Sequence, residues 1–344
     1  MTNRVALIAA VVTAVVVLLG LTTLLIVRRR RRDAKDNYNQ PAPTKTLTVD
    51  EMSSALATNA ASYPELLQLR LDANGLQIWF EFQRSNVWRA EYNSRAVAVR
   101  RMRRGDLHFA GEILAMSRLD SPHLVGLVGA TWTAPGDLAA VMEFVDGPLR
   151  DLLSDSTVAM TWAPTKVAIA LDIARGLAYL HSRRPKVFLR ELTSRHVLVS
   201  HDRTVVKLNV FQLLSTRERE LTARMADMAW MAPEVLADDK EPTEAADVYS
   251  LGVLLTELDT RKRPLDEIKA AHAKASGIVA GTLRPALSPS CPPAIQRIVE
   301  ACLNHEPRLR PSSTKAMTML EEASKDIVEP KNAQTAPPSK SDDR

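Results

Sequence analysis

Cysteine is nearly absent. Cys291 and Cys302 are the only two in 344 residues, too few for a disulfide framework. No Asn-x-Ser/Thr acceptor occurs anywhere. Both absences point to a reducing, cytosolic setting for the folded part. Excess charge is missing from the body of the chain as well. The formal net charge is +5, and the arginines at 28 to 32 carry that much by themselves. A nucleic-acid-binding domain is basic across a folded face, so no nucleic-acid partner is expected. What remains is 46% hydrophobic and 25% charged. That is ordinary globular composition, with room for one domain of about 250 residues plus flanking segments.

The run Val5 to Val27 carries no charge over 23 residues. As a helix it would span about 34 Å, enough to cross the roughly 30 Å hydrocarbon core. Arg28 to Arg32 follow at once. Positive charge stays on the cytosolic side, which predicts a single-pass anchor with its N-terminus out and a cytosolic body. A cleaved signal peptide would have a shorter apolar run with its basic cluster in front. The choice between plasma membrane and endomembrane stays open. The arginines should attract anionic lipid headgroups. With four residues ahead of the run, no ligand-binding ectodomain is expected. Residues 28–65 form a basic juxtamembrane segment and polar linker with Pro41 and Pro43, with a helical turn expected around Asp50 to Ala57. Residues 324–344 contain Pro330, Pro337 and Pro338 among Lys, Ser and Asp, and are expected to be a disordered tail.

Between these ends the pattern changes. Ile78 to Phe80, Val87 to Arg89 and Ala96 to Arg100 read as strands. A helix is expected over Leu107 to Leu119, then strands over Leu124 to Val128 and Leu138 to Phe144. After Gly147-Pro148 the chain turns helical. Ile169, Ile173, Leu177 and Leu180 mark an amphipathic helix over Lys166 to His181. Short strands are expected near Val197 and Val206, then mostly helix to about Glu322. A small strand-rich part followed by a larger helical one is α+β.

The stretch Val187 to Val199 resembles the catalytic loop of eukaryotic protein kinases, H-R-D-L-x-x-x-N before a short apolar strand. In that register Leu189 stands for the His, Arg190 matches, Glu191 replaces the Asp and His196 replaces the Asn. Other blocks follow in the same family's order. Val97-Ala98-Val99-Arg100 resembles the V-A-I-K strand, and Glu112 the helix glutamate that pairs with its lysine. Met142-Glu143-Phe144 resembles the hinge between lobes. Lys207 to Gln212 resembles the strand into D-F-G. Trp230-Met231-Ala232-Pro233-Glu234 resembles the end of the activation segment, and Asp247 to Val253 the central helix after it. Cys302 through Arg310-Pro311 resembles the closing C-x-x-x-x-P-x-x-R-P element. The tyrosine-kinase-like group is the nearest in pattern. The resemblance implies a two-lobed fold over residues 66–323, with a small β-rich N-lobe at 66–143 and a helical C-lobe at 147–323.

The groups that handle phosphate are changed. Phosphoryl transfer is mostly positioning and charge neutralisation. Counting back from Val87, the positions of the glycine-rich loop hold Phe80, Phe82 and Ser85, whose side chains fill phosphate space and stiffen the turn. Arg100 keeps a charge without the compact ammonium geometry, and is expected to brace Glu112. Val210 and His196 replace the usual magnesium ligands, so no metal is expected. Glu191 is a degenerate base position, one methylene longer, and misplacement by about 1 Å can cost about a hundredfold. Thr193 removes a further cation.

The structural groups are retained. Glu234 and Arg310 stand where the family forms its C-lobe ion pair, and Asp247 where it braces the catalytic loop through backbone amides. Met116, Leu127, Leu189 and Phe211 fall on the family's interlobe apolar stack. Val87, Ala98 and Leu198 fall on its adenine side, beside the hinge residues Met142, Glu143 and Phe144. Gln212 replaces the D-F-G glycine, and Ala226-Asp227 replaces Gly-Thr in the peptide-docking region. Ser215, Thr216 and Thr222 lie near Arg190 as phosphoswitch candidates, with a solvated loop as the blander reading. The expectation is a membrane-anchored pseudokinase that scaffolds or allosterically modulates another kinase or signalling protein. The alternative is an active, atypical serine/threonine kinase. No cofactor is expected, ATP without the usual magnesium ligands being the one left open.

Overall fold

A computed structural model of the chain describes residues 64–82, 86–103, 106, 108–133, 137–189, 192–211, 227–238 and 243–328. The apolar run Val5 to Val27, the arginine cluster, the turn around Asp50 to Ala57 and the tail past Val328 lie outside them. Among the described residues no helix is long and apolar enough to cross a membrane.

A short helix α1 (Glu65–Gln68) leads into the strands β1 (Leu76–Glu81), β2 (Val87–Tyr92) and β3 (Arg95–Arg101). Helix α2 (Phe109–Ser117) precedes β4 (Leu127–Thr131) and β5 (Ala139–Glu143). These strands make one sheet in the order β1-β2-β3-β5-β4, with every pair antiparallel. Strand alternation gives the sheet two faces. On one, Ala90, Val97, Val99, Ala139 and Val141 form a buried cluster sealed by Leu71, Leu76, Trp88 and Tyr92. The chain at 69–71 lies alongside, with Leu71 N donating to Ala130 O and Ala130 N to Leu69 O, both at 2.8 Å. Gly129 permits this approach, because a Cβ there would sit 2.6 Å from Leu69 O. The other face carries Val87, Arg89, Ala98 and Arg100, paired across as Val87 with Arg100 and Arg89 with Ala98.

The fourth strand differs from the sequence expectation. It begins at Leu127, whereas Leu124 makes only an isolated bridge to Leu208. Leu124 and Val125 are buried in the main core all the same. An apolar stretch broken by Gly126 and Gly129 satisfies burial in either register, so its pattern could not place the strand ends.

The second half is helical around a small sheet of β6 (Gly147–Pro148), β7 (Val197–Val199) and β8 (Val206–Leu208). Its helices begin with α3 (Leu149–Ser154) and α4 (Val167–Ser182). Ile169, Ile173, Leu177 and Leu180 of α4 are all fully buried. Next come α5 (Pro233–Asp238) and α6 (Glu244–Thr260). Helix α6 is buried nearly all round, as expected of a central helix. Its Thr243 cap accepts from Ala246 N at 3.1 Å, satisfying one of the amides a helix start leaves open. Arg261 ends it in a left-handed turn and donates to the carbonyls of Leu152, Leu153, Asp155 and Val158 at the end of α3 and just beyond it. Helices α7 (Ala271–Val279), α8 (Pro293–Cys302) and α9 (Ser313–Val328) complete the chain. The last helix runs past the boundary at 323 drawn from the sequence. Leu320 and Ala323 bury its inner stripe, and the polar residues after them ride on the exposed face.

Candidate functional site

The cleft between sheet and helices is framed from above by the hairpin β1–β2. Phe82 N donates to Val87 O at 2.8 Å, closing the hairpin, and its register shifts between Ile78 and Phe80. Phe80 meets Phe82 edge-on, centroids 5.3 Å apart. The Phe82 ring stacks on Phe144 at 6.1 Å, tilted by 20°. Arg89 lies over Phe144 at 4.6 Å and over Trp79 at 5.2 Å. Ser85, the third glycine-loop position, is outside the described residues. Rings thus occupy the front of the cleft at the two positions that can be seen.

Arg100 points into the cleft with its guanidinium over the Phe211 ring at 5.2 Å. Burial lowers its pKa, and the Glu112 carboxylate opposes that most strongly. Glu112 is itself buried on α2. The Glu112 carboxylate thus acts on Arg100 as an opposing charge. Behind them, Phe109 packs edge-on against Phe211 at 5.3 Å. Met116, Leu189 and Phe211 are fully buried, and Leu127 packs on the same core. All four residues expected on the interlobe stack thus belong to, or pack against, one core.

Ala98 and Leu198 are half-buried against the main core, and Val87 is half-buried on the cleft face of the sheet. Met142 pairs with both Ala98 and Leu127 across the strands. Glu143 is held by Lys207 at 2.7 Å and by Gly126 N at 3.2 Å. Ala98 and Met142 are thus neighbours across the sheet, with Phe144 already under Phe82 and Arg89.

The metal side does not fit a hard divalent cation. Val210 is buried and offers no oxygen. Asn209 beside it spends its side chain on Phe211 N at 3.3 Å. His196 is buried too, and its Nδ1 accepts from Thr193 N at 3.3 Å. With Thr193 Oγ1 3.2 Å from the same nitrogen, the ring braces the loop. Among the described residues no cluster of His, Cys, Asp or Glu could hold a metal ion. Glu191 and Arg190, singled out as base and flanking cation, lie outside the described residues, as do Gln212, Ser215, Thr216, Thr222 and Ala226.

Several site residues gave no sequence signal. Asp247 Oδ2 accepts from Leu189 N at 2.7 Å, as expected, but also meets His181 Nε2 at 2.9 Å. Burial raises the Asp247 pKa. Glu257 accepts from Ser194 Oγ at 2.7 Å and from Trp230 Nε1 at 3.0 Å. It ties the catalytic-loop stretch to the Trp-Met-Ala-Pro-Glu block, and burial pushes its pKa up to about 7. Arg195 pairs with Asp227, which is buried, so the residue standing in the peptide-docking region is bonded to the loop itself. The one available hint was a pair of carboxylates, Glu257 and Asp259, set beside Leu254, Leu255 and Leu258 in an apolar helix. The pair Glu234–Arg310 is formed as expected and is bidentate, at 2.7 and 2.8 Å.

Residues 82–320 match the family model "Protein tyrosine and serine/threonine kinase". The serine/threonine/tyrosine-protein kinase HT1 of Arabidopsis thaliana is 32% identical over 249 residues, covering 69% of this chain and 63% of that protein. The serine/threonine-protein kinase CTR1 of the same plant is 33% identical over 261 residues, covering 72% and 31%. Mitogen-activated protein kinase kinase kinase 7 of Bos taurus is 28% identical over 246 residues, covering 68% and 41%. These relatives are of the tyrosine-kinase-like group. The chain spans less than two-thirds of the length of each.

Proposed function

The chain belongs to the protein tyrosine and serine/threonine kinase family, and from that premise we propose that it is a pseudokinase. It works by binding, as a scaffold or allosteric partner of another kinase or signalling protein, and does not transfer phosphate. The observation that carries this reading is uneven loss. Rings stand where the phosphate loop needs glycine, and Val210 and a braced His196 stand where a cation needs oxygen. The parts that hold the fold keep their bonds, among them Glu234–Arg310 and Asp247–Leu189. A polyphosphate arriving without its counter-ion would have to be neutralised by Arg89 and Arg100, each already laid on an aromatic face. No resident cofactor is assigned. In the same reading Val5 to Val27 anchors the chain in a single pass, Arg28 to Arg32 meet anionic headgroups, and the kinase-like domain lies in the cytosol. Resistance of the full chain to alkaline carbonate extraction tests the anchor, and release into the supernatant would refute it.

A second reading is favoured by the relatives, which are named as kinases, and by the coupling of Glu112 to Arg100. In it the chain is an active, atypical serine/threonine kinase. Glu191 is then the base, Arg100 holds the nucleotide, and ATP is held without the usual magnesium ligands. Radiolabelled phosphate transfer by the purified full chain decides between them. Incorporation abolished by Glu191→Ala, in a variant that still melts cooperatively, would establish the enzyme. Background incorporation unaffected by that change supports the pseudokinase.

A further inference from the structure

Strand β1 is a free edge of the five-stranded sheet. A strand with one face covered alternates buried and exposed residues, yet Gln77 to Glu81 are exposed in succession. Ile78, Trp79 and Phe80 are 39%, 50% and 50% exposed. Other large apolar side chains in the open, such as Leu67, Val128 and Leu309, stand singly along the chain, as scattered surface residues do. The register shift between Ile78 and Phe80 sets Trp79 outside the ladder. A bulged edge is a poor template for another strand, so this one offers side chains rather than backbone. Cations surround those side chains. Arg89 lies over Trp79 at 5.2 Å, and on the neighbouring strands Arg101 lies over Trp88 at 5.1 Å. Arg95, Arg101 and Arg103 are exposed, and the acidic residues of β1 to β3 are Glu81 and Glu91.

We propose that β1 is a membrane-docking edge, with Trp79 and Phe80 entering the headgroup level of an anionic bilayer and Arg95, Arg101 and Arg103 meeting its negative charge. A tryptophan, apolar in its body and wet at its N–H, settles at the boundary between hydrocarbon and water. Arginines beside it add attraction to acidic lipids. A fluid anionic surface satisfies rings and cations together. It does so without the fixed complementary shape that a bulged, irregular edge denies a folded partner. The inference rests on the single-pass reading, in which the anchor is followed by Arg28 to Arg32. The described chain begins at Pro64 and runs alongside this same sheet at 69–71. The 31 residues between Arg32 and Pro64 reach at most about 110 Å when fully extended. The sheet therefore stays in the neighbourhood of the headgroups, and docking needs no encounter from bulk solution.

Quenching by brominated lipid tests this. The purified full chain is reconstituted in vesicles of phosphatidylcholine, and in vesicles of phosphatidylcholine with phosphatidylserine, both brominated on the acyl chains. The five tryptophans all lie outside Val5 to Val27, so the anchor adds no signal, and Trp162 and Trp230 are buried. Anionic vesicles should quench the emission several-fold more than neutral ones, and Trp79→Phe should remove most of that difference. Arg95→Gln with Arg103→Gln should weaken docking about 25-fold, at about fivefold per arginine, and bring anionic vesicles to the neutral level. High salt should do the same by screening the headgroup charge. A cooperative melt of each variant shows that it folds. Equal quenching in the two kinds of vesicle would overturn the proposal, as would a difference that survives Trp79→Phe unchanged. Shielding of Trp79 from acrylamide without lipid, lost on dilution, would assign the edge to a second copy of the chain instead. Carbonate washing of the same vesicles reports on the anchor separately. Anionic quenching by a chain that carbonate strips keeps the docking edge and removes the anchor. A retained chain without it removes the docking edge alone, and a stripped chain without it removes both.

Discussion

Arg310 meets both oxygens of Glu234 and also donates to the carbonyls of Ala245, Asn304 and His305, with its guanidinium over Tyr249 at 5.0 Å. Its side chain is wholly out of solvent. Arg310→Ala removes one charge of a buried pair and leaves these acceptors unmatched, so it should cost about 3–5 kcal/mol of unfolding free energy. Chemical denaturation of the full chain reads this directly. Glu257 gives a pH prediction. Its folded pKa, about 7, lies above its ordinary 4.5, so the folded protein holds that proton more tightly than the unfolded one. The stability it brings is complete below about 4.5 and is lost as pH rises through about 7. Glu257→Gln can still accept from Trp230 and bond Ser194, and should flatten the dependence of Tm on pH over that interval. Parallel curves for the two proteins would count against the assignment. Arg310 and Glu234 were legible because each stands inside a recognisable block. Glu257 and His181 were not, because their partners come from segments 63 and 66 residues away, and nothing in a local pattern encodes that meeting.

At the scale of elements, the strands β1 to β3 and the helix α4 could be read from alternation and from helical spacing. Their apolar residues face one way, and burial follows the pattern. Sequence reading was weakest where both faces are covered. Leu124 to Ala130 is apolar on either register, and its strand came out shifted toward Thr131. Helix α6, buried all round, has no polar stripe to mark its faces. The segment at 66–75 was placed in the N-lobe without any element of its own, yet it seals the outer face of the sheet through Leu71 and through the paired bonds of Leu69 and Leu71 to Ala130. Gly129→Ala tests that seal. The new methyl would meet Leu69 O at 2.6 Å and the Leu71 side chain at 2.7 Å. The backbone must yield, so the variant should lose about 1–3 kcal/mol. Hydrogen exchange should show faster exchange at the amides of Leu71 and Ala130. Unchanged protection there would mean the segment does not depend on the close approach.

For the whole molecule, the two lobes share one apolar core. Met116, Phe211 and Leu189 are all buried in that core, and Leu189 is hung from α6 by Asp247. The cleft in front of it is bridged by Phe82 and Phe144. A ligand that binds only the folded state stabilises it by about 2.7 kcal/mol at a hundred times its Kd. In a domain of this size that is a rise of several degrees in Tm. A cleft able to coordinate magnesium would show most of that rise only when the ion is present, because the ion carries the neutralisation of the triphosphate. Here Val210 presents two methyl groups and His196 has its Nδ1 engaged by Thr193. The melting temperature with ATP should therefore be the same in magnesium as in EDTA. A magnesium-dependent rise of several degrees would mean that a side chain other than these two supplies oxygen to the ion, and that the loss of the usual ligands had been compensated elsewhere in the cleft. Equal melting curves mean that the ion takes no part in seating the nucleotide, as the side chains at 196 and 210 imply.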